Sequence, residues 1–307
     1  MSLTVVLPAT ITPAMVTANT LAETLPTWAA GTTYADKARV VGSDGASVFE
    51  SLQAGNVGHD PLAEDLTAPV WWDRVGASNR FALFDGEASL PSTATSSFSV
   101  TVRPGPVGAI GLLGMSGISS VRVQVRDLIT GLEIYAREED LLAEGIDTPL
   151  EFFYAWPRVF ASERAWVDMP VFSMPEVTLT FSGTGALSLG EVVLGMPYQL
   201  GETVRGATFG MNDYSRTERD RWGRLTFAPG DFSRAPSVPF IFPSERFPKV
   251  VALLRRFRGR PCLYVPSQAA RLSPFITYGV YQRLRVDMQT LSTTYASLDL
   301  EGVAETN

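Results

Sequence analysis

Apolar and polar residues alternate with period two along much of this chain. Residues 97–103 (SFSVTVR) do so cleanly, and residues 121–127 (VRVQVRD) repeat the pattern before Thr130-Gly131 turns the chain into 132–135. Residues 177–181 lead through Ser182-Gly183-Thr184-Gly185, which reads as a turn, into 186–190. Half-buried strands at this spacing predict a jelly-roll-like β-sandwich over 77–200. Its one helical candidate, 137–142, is short.

The flanking regions have other patterns. Residues 1–25 open on an apolar, strand-like piece (LTVVLP) and continue rich in small residues and Thr. This predicts an arm or tether that pairs with another chain. In 26–76, apolar patches at 38–41 and 48–52 flank the turn Gly42-Ser43-Asp44-Gly45, a hairpin signal. Trp28, Tyr34, Phe49, Trp71 and Trp72 crowd this unit with three of the six tryptophans. In 201–307, strands at 224–227, 237–241, 262–265, 277–281, 284–288 and 295–303 surround one amphipathic helix. That helix starts at a Ser244 cap, carries Phe247, Val250, Val251, Leu254 and Phe257 at helical spacing, and stops at Gly259. The expected class is mainly β: a small aromatic module, a sandwich, and a C-terminal α+β barrel-like domain with one helix.

Composition narrows the chemistry. The 307 residues suffice for two or three domains, and 45% hydrophobic against 19% charged residues marks a folded chain. Net charge is −7, unevenly spread: 213–260 carries 11 basic and 5 acidic residues, leaving 14 basic and 27 acidic elsewhere. All cations but Lys37 and Lys249 are Arg, whose planar fork suits interfaces. An acidic chain is repelled by phosphate, so nucleic acid is a poor partner. No run of about 20 apolar residues predicts a spanning helix, and no secretion signal is visible. Lone Cys262 and lone His59 rule out an internal disulfide framework and make a structural zinc improbable. Cys262 reads as a buried, inert thiol, and His59 as a turn residue before Asp60-Pro61. No phosphate loop, nucleophile elbow or His-based triad appears, so no catalytic residue, metal or cofactor is expected.

Two resemblances add to this reading. Trp28, Tyr34, Val40, Phe49-Glu50-Ser51-Leu52, Gly58-His59-Asp60-Pro61, Trp72 and Val75-Gly76 resemble the small chitin- and cellulose-binding modules of secreted glycoside hydrolases. That resemblance implies sugar stacking by Trp28, Tyr34, Trp71 and Trp72. The stretches 76–85, 192–203, 212–216, 254–265 and 278–281 resemble a family of tailed-bacteriophage tail proteins. It implies a structural component of the tail tip or baseplate in the virion, assembled in the host cytoplasm with other tail proteins. Shared strand edges and Arg clusters favour repeated contacts, so a homo-oligomeric ring is expected.

The residues themselves leave alternatives open. A fifty-residue unit without disulfide or metal needs aromatic bulk in its own core. Adjacent strand residues face opposite ways, so one of Trp71 and Trp72 should be buried and the other outward. Arg216, Arg219, Arg221, Arg224, Arg255, Arg256 and Arg258 are candidates for an assembly interface, or for a solvated polar face. The run at 213–221, with Asp213, Glu218 and Asp220 among arginines, suits an ion-paired interface better than a general acid and base. The rivals are a purely structural adaptor that binds no glycan, and a polysaccharide depolymerase, which needs paired carboxylates in a cleft.

Overall fold

The computed structural model describes residues 2–141, 153, 160–219, 221–287 and 292–304. The chain is mainly β, with strands in several sheets; among the described residues the one α-helix longer than a turn is Phe247–Phe257. The apolar run at 152–156, apart from Phe153, and Asp220 lie outside the described residues.

Six antiparallel strands close a barrel. They are β1 (Ser2–Pro8), β12 (Glu191–Thr203), β17 (Ser237–Pro243), β18 (Cys262–Val265), β19 (Thr277–Asp287) and β20 (Thr293–Gly302). The order runs β1-β18-β19-β20-β17-β12 and returns to β1. Leu3, Val5, Leu200, Phe240, Tyr264 and Leu298 form its core, against which helix α1 (Phe247–Phe257) packs Val250, Leu254 and Phe257. Pro248 suits the first turn of α1, and Gly259 at φ 66° adopts the left-handed conformation beyond its end. Ser244 does not cap this helix. It lies in a preceding 3₁₀ turn, where its Oγ bonds Thr294 Oγ1 at 2.9 Å.

The expected N-terminal arm is replaced by an internal strand. Leu3, Val5 and Val6 have no exposed surface, and β1 pairs on one side with β12 and on the other with β18. A strand apolar on both faces is held inside a sheet rather than offered to another chain.

A second sheet has the order β2-β6-β11-β8-β9: β2 (Val16–Asn19), β6 (Ser92–Val102), β11 (Pro175–Leu189), β8 (Ser116–Asp127) and β9 (Glu133–Asp140). It packs face to face on β7 (Ala109–Leu113), β10 (Arg164–Trp166) and the first half of β12. Phe98, Val123, Leu179 and Phe181 meet Ile110, Leu112, Trp166 and Leu194 there. Residues 137–140 of the helical candidate are strand, paired with β8; Leu142 lies outside the described residues. The stretch 182–185 is a bulge within β11, not a turn, since the register with β6 jumps between Ser182 and Ala186. A Cβ on Gly183 would sit 2.1 Å from the Gly117 carbonyl, so the strands can approach here only without side chains.

Strand β12 serves both bodies. Glu191–Gly195 pairs with β7 in the sandwich, whereas later residues pair with β1 and β17 in the barrel. A boundary at 200 therefore falls inside one continuous strand.

The aromatic module is an antiparallel sheet, β3 (Arg39–Val41), β4 (Ser47–Ser51) and β5 (Trp72–Ala77), with buried Tyr34, Val40, Phe49 and Trp72. Asp44 Oδ1 closes its turn by accepting from Ala46 and Ser47 N–H at 3.1 and 3.4 Å. A two-stranded ribbon leaves the barrel: β13 (Met211–Asp213) pairs β16 (Phe232–Arg234), and β14 (Arg216–Arg219) pairs β15 (Leu225–Ala228).

Candidate functional site

Two of the four candidate sugar-stacking rings are core residues. Trp72 is fully buried, its indole N–H donates to the His59 carbonyl at 2.8 Å, and it meets Tyr34 edge-on with centroids 5.2 Å apart. Tyr34 is 8% exposed, and its hydroxyl accepts from Ala29 N–H at 2.8 Å. Neither can lie against a ligand; the unit's small size has drawn both rings inward. Trp28 and Trp71 are half-buried and pack on the outside of that core. The Trp28 indole N–H is enclosed and has no hydrogen-bond acceptor.

Trp71 is held from several directions. The Glu64 carboxylate accepts from the N–H groups of Val70 at 2.6 Å and Trp71 at 3.0 Å. Buried Asn56 donates from Nδ2 to the Trp71 carbonyl at 3.2 Å and to Ser51 Oγ at 3.0 Å. The His59 imidazole stacks on the Trp71 indole with centroids 3.8 Å apart and 12° between planes. His59 is thus more than a turn residue.

The candidate interface arginines divide between two places. Arg216, Arg219, Arg221 and Arg224 are exposed on the ribbon, with the Arg221 guanidinium 3.7 Å from the Trp222 ring centroid. Every residue of β14 and β15 is exposed. The register sets Thr217 opposite Phe227 and Arg219 opposite Leu225, so these four share one face. Trp222 is 68% and Phe227 72% exposed; Met211 and Tyr214 are exposed as well. Arg255 and Arg256 lie on the exposed side of α1 and exposed Arg258 follows its last residue; Arg256 stands 6.0 Å from the Tyr198 ring.

Two buried polar clusters carry little sequence signal. Arg234, at the ribbon base, forms a buried ion pair with Glu163 and donates to the Pro274 carbonyl at 3.3 Å. Glu191 begins β12, and its Oε2 accepts from Gly86 N–H at 3.0 Å. Burial pushes the Glu191 carboxyl well above the ordinary glutamate range, and neighbouring Asp85 adds to the rise. Burial pushes Asp85 up to about 6, opposed by its bond from Glu87 N–H. The hydroxyl of buried Tyr278 stands beside Gly86 and is also raised by burial. A carboxylate inside the apolar run GEVVLG is the one hint available from sequence. Cys262 is buried and its thiol is pushed up to about 11 by desolvation, as befits an inert core residue.

A pH dependence follows. The folded state favours protonated Glu191, whereas the unfolded chain ionises it near pH 4.3. Its contribution is therefore complete below that pH and is lost as pH rises through the raised folded value. Asp85 acts in the same direction between about pH 4 and about 6. Glu191→Gln keeps an acceptor for Gly86 without a buried charge. Its expected melting temperature at pH 8 is above the parent's by roughly a few degrees, with no gain at pH 4; thermal melts across this range check it.

Among the described residues, no helix is long and apolar enough to cross a membrane, and no three His, Cys, Asp or Glu side chains form a metal-binding cluster. Comparison with family models, curated proteins and solved structures gave no match.

Proposed function

We propose that this chain is a non-enzymatic structural subunit of a bacteriophage tail tip or baseplate, building a homo-oligomeric ring alongside other tail proteins in the virion. In this reading the aromatic module meets host surface glycan. The observation that carries the assembly half is the ribbon Met211–Arg234, which keeps Trp222, Leu225 and Phe227 in solvent, with Arg221 over Trp222 and Arg219 opposite Leu225. An isolated two-stranded ribbon is marginal in water, and exposed aromatics with Arg are the composition of interface cores. The resemblance of several stretches to tail proteins supplies the setting.

A second reading, an adaptor that binds no glycan, draws support from the burial of Tyr34 and Trp72. Intrinsic tryptophan fluorescence against chitin and cellulose oligosaccharides and host lipopolysaccharide fragments separates the two. No response to any of them favours the adaptor.

Light scattering tests the assembly half. The wild type is expected to form a concentration-dependent ring. The double variant Trp222→Ser, Phe227→Ser should stay monomeric, with stability within about 0.5 kcal/mol of the parent because both rings are solvated. A wild type that stays monomeric at high concentration and is missing from purified tails overturns the proposal.

A further inference from the structure

We infer that the ribbon of one copy packs its exposed apolar face on the 52–70 edge of the aromatic module of a second copy, head to tail. The inference rests on the assembly half of the function proposed above and names the surface that receives the ribbon.

The receiving edge is apolar where a small module should be polar. Leu52, Val57, Leu62, Leu66 and Val70 are all exposed, from 42% at Leu52 to 59% at Val70. Apolar side chains scattered singly are ordinary on a protein surface, but so many in one short stretch mark a contact. Hydrogen bonds bring parts of this stretch together. Leu52 N–H donates to the Trp71 carbonyl at 2.9 Å, Gln53 Nε2 donates to the Val70 carbonyl at 3.2 Å, and Glu64 accepts from the N–H groups of Val70 and Trp71. Leu52, Glu64 and Val70 therefore sit on neighbouring segments, fixed before any partner arrives.

Charge selects the partner. Residues 52–72 hold Asp60, Glu64 and Asp65 and neither Lys nor Arg. Asp65 is exposed and accepts from Thr67 N–H at 3.0 Å and from Thr67 Oγ1 at 2.7 Å. Those bonds hold its carboxyl below the ordinary aspartate range and keep it charged. The ribbon has the opposite sign: 216–228 carries Arg216, Arg219, Arg221 and Arg224 against Glu218 and Asp220. Arg219, Leu225 and Phe227 share one of its faces, and Arg221 lies over the Trp222 ring in the connecting turn. Apolar with anionic on the module thus matches apolar with cationic on the ribbon. Both surfaces are exposed within one chain, so the ribbon does not cover its own module. A contact between unlike surfaces of identical copies is heterologous, and it generates a ring when the rotation between copies closes.

The test uses the full chain, followed by light scattering and sedimentation at rising concentration. The double variant Leu66→Ser, Val70→Ser should weaken association about tenfold or more, as Trp222→Ser, Phe227→Ser does from the other side. Unchanged thermal melts of both double variants exclude unfolding as the cause. An equimolar mixture of the two variants is the decisive sample. The module variant keeps its ribbon and the ribbon variant keeps its module edge, so the mixture should form a pair. It should form no larger species, because the surfaces left open on that pair are both defective. Raising salt should weaken wild-type association. If the wild type assembles and Leu66→Ser, Val70→Ser assembles equally well, the ribbon docks elsewhere and the ring stands. If each variant alone is monomeric and the mixture is monomeric too, the two surfaces do not meet each other and the pairing is overturned. Association indifferent to salt overturns the charge argument. If the wild type itself stays monomeric, the assembly half of the proposed function fails and takes this contact with it.

Discussion

A chain that begins at Ala9 should fail to fold its barrel. Strand β1 fills the place between β12 and β18, and its loss leaves both with unpaired edges. It also removes three side chains with no exposed surface, Leu3, Val5 and Val6. At about 1.5–3 kcal/mol for each buried aliphatic side chain, their transfer terms come to roughly 5–9 kcal/mol. Whole domains are stable by only about 5–15 kcal/mol. The expected result is an insoluble or protease-sensitive product without a cooperative thermal transition. The milder Val5→Asp acts by the same route, placing an unpaired carboxylate in the core beside Leu3 and Leu200. A soluble truncated protein with the parent's melting curve would show that β1 is dispensable.

Trp72→Ala should unfold the aromatic module and leave the barrel and sandwich standing. The module's core is small: Tyr34, Val40, Phe49 and Trp72, with Trp28, Ala38 and Trp71 packed against them. Removing the largest of these costs about 3–5 kcal/mol, near the total such a small unit can have. It also deletes the donor to the His59 carbonyl, releasing the loop beneath the His59–Trp71 stack. Hydrogen exchange read by mass spectrometry should lose protection across β3, β4 and β5 while protection in β11 and β12 is kept. Trp71→Ala removes a half-buried ring from the outside of the same cluster and should cost much less stability. Equal loss of protection in the two variants would contradict this assignment of core and surface.

The legible parts of this molecule are those governed by near neighbours. Alternation at 97–103, 121–127 and 177–181 marked strands β6, β8 and β11, because a half-buried strand repeats every two residues whatever it packs against. The spacing of Val250, Leu254 and Phe257 marked helix α1, and Gly259 its end, by equally local rules. At 137–142 local signals misled. A run of acidic residues before two leucines suits a helix in isolation, yet 137–140 lies along β8 and continues its sheet. Sheet pairing outweighs intrinsic preference where a partner edge is available.

The sequence by itself determined the mainly β class, the aromatic cluster at 28–72 and the Arg-rich stretch from 216 onward, since composition and short-range period are properties of the chain alone. Tertiary structure decided the rest. It made residues 2–8 a barrel strand rather than a free arm, because their pairing partners lie far along the chain in β12 and β18. It carried β12 through two bodies, sealed the Glu191 carboxyl away from water, and turned Trp72 inward while laying His59 on Trp71. Each of these depends on which distant surface arrives to cover a residue, and burial of that kind leaves little mark on the neighbouring letters.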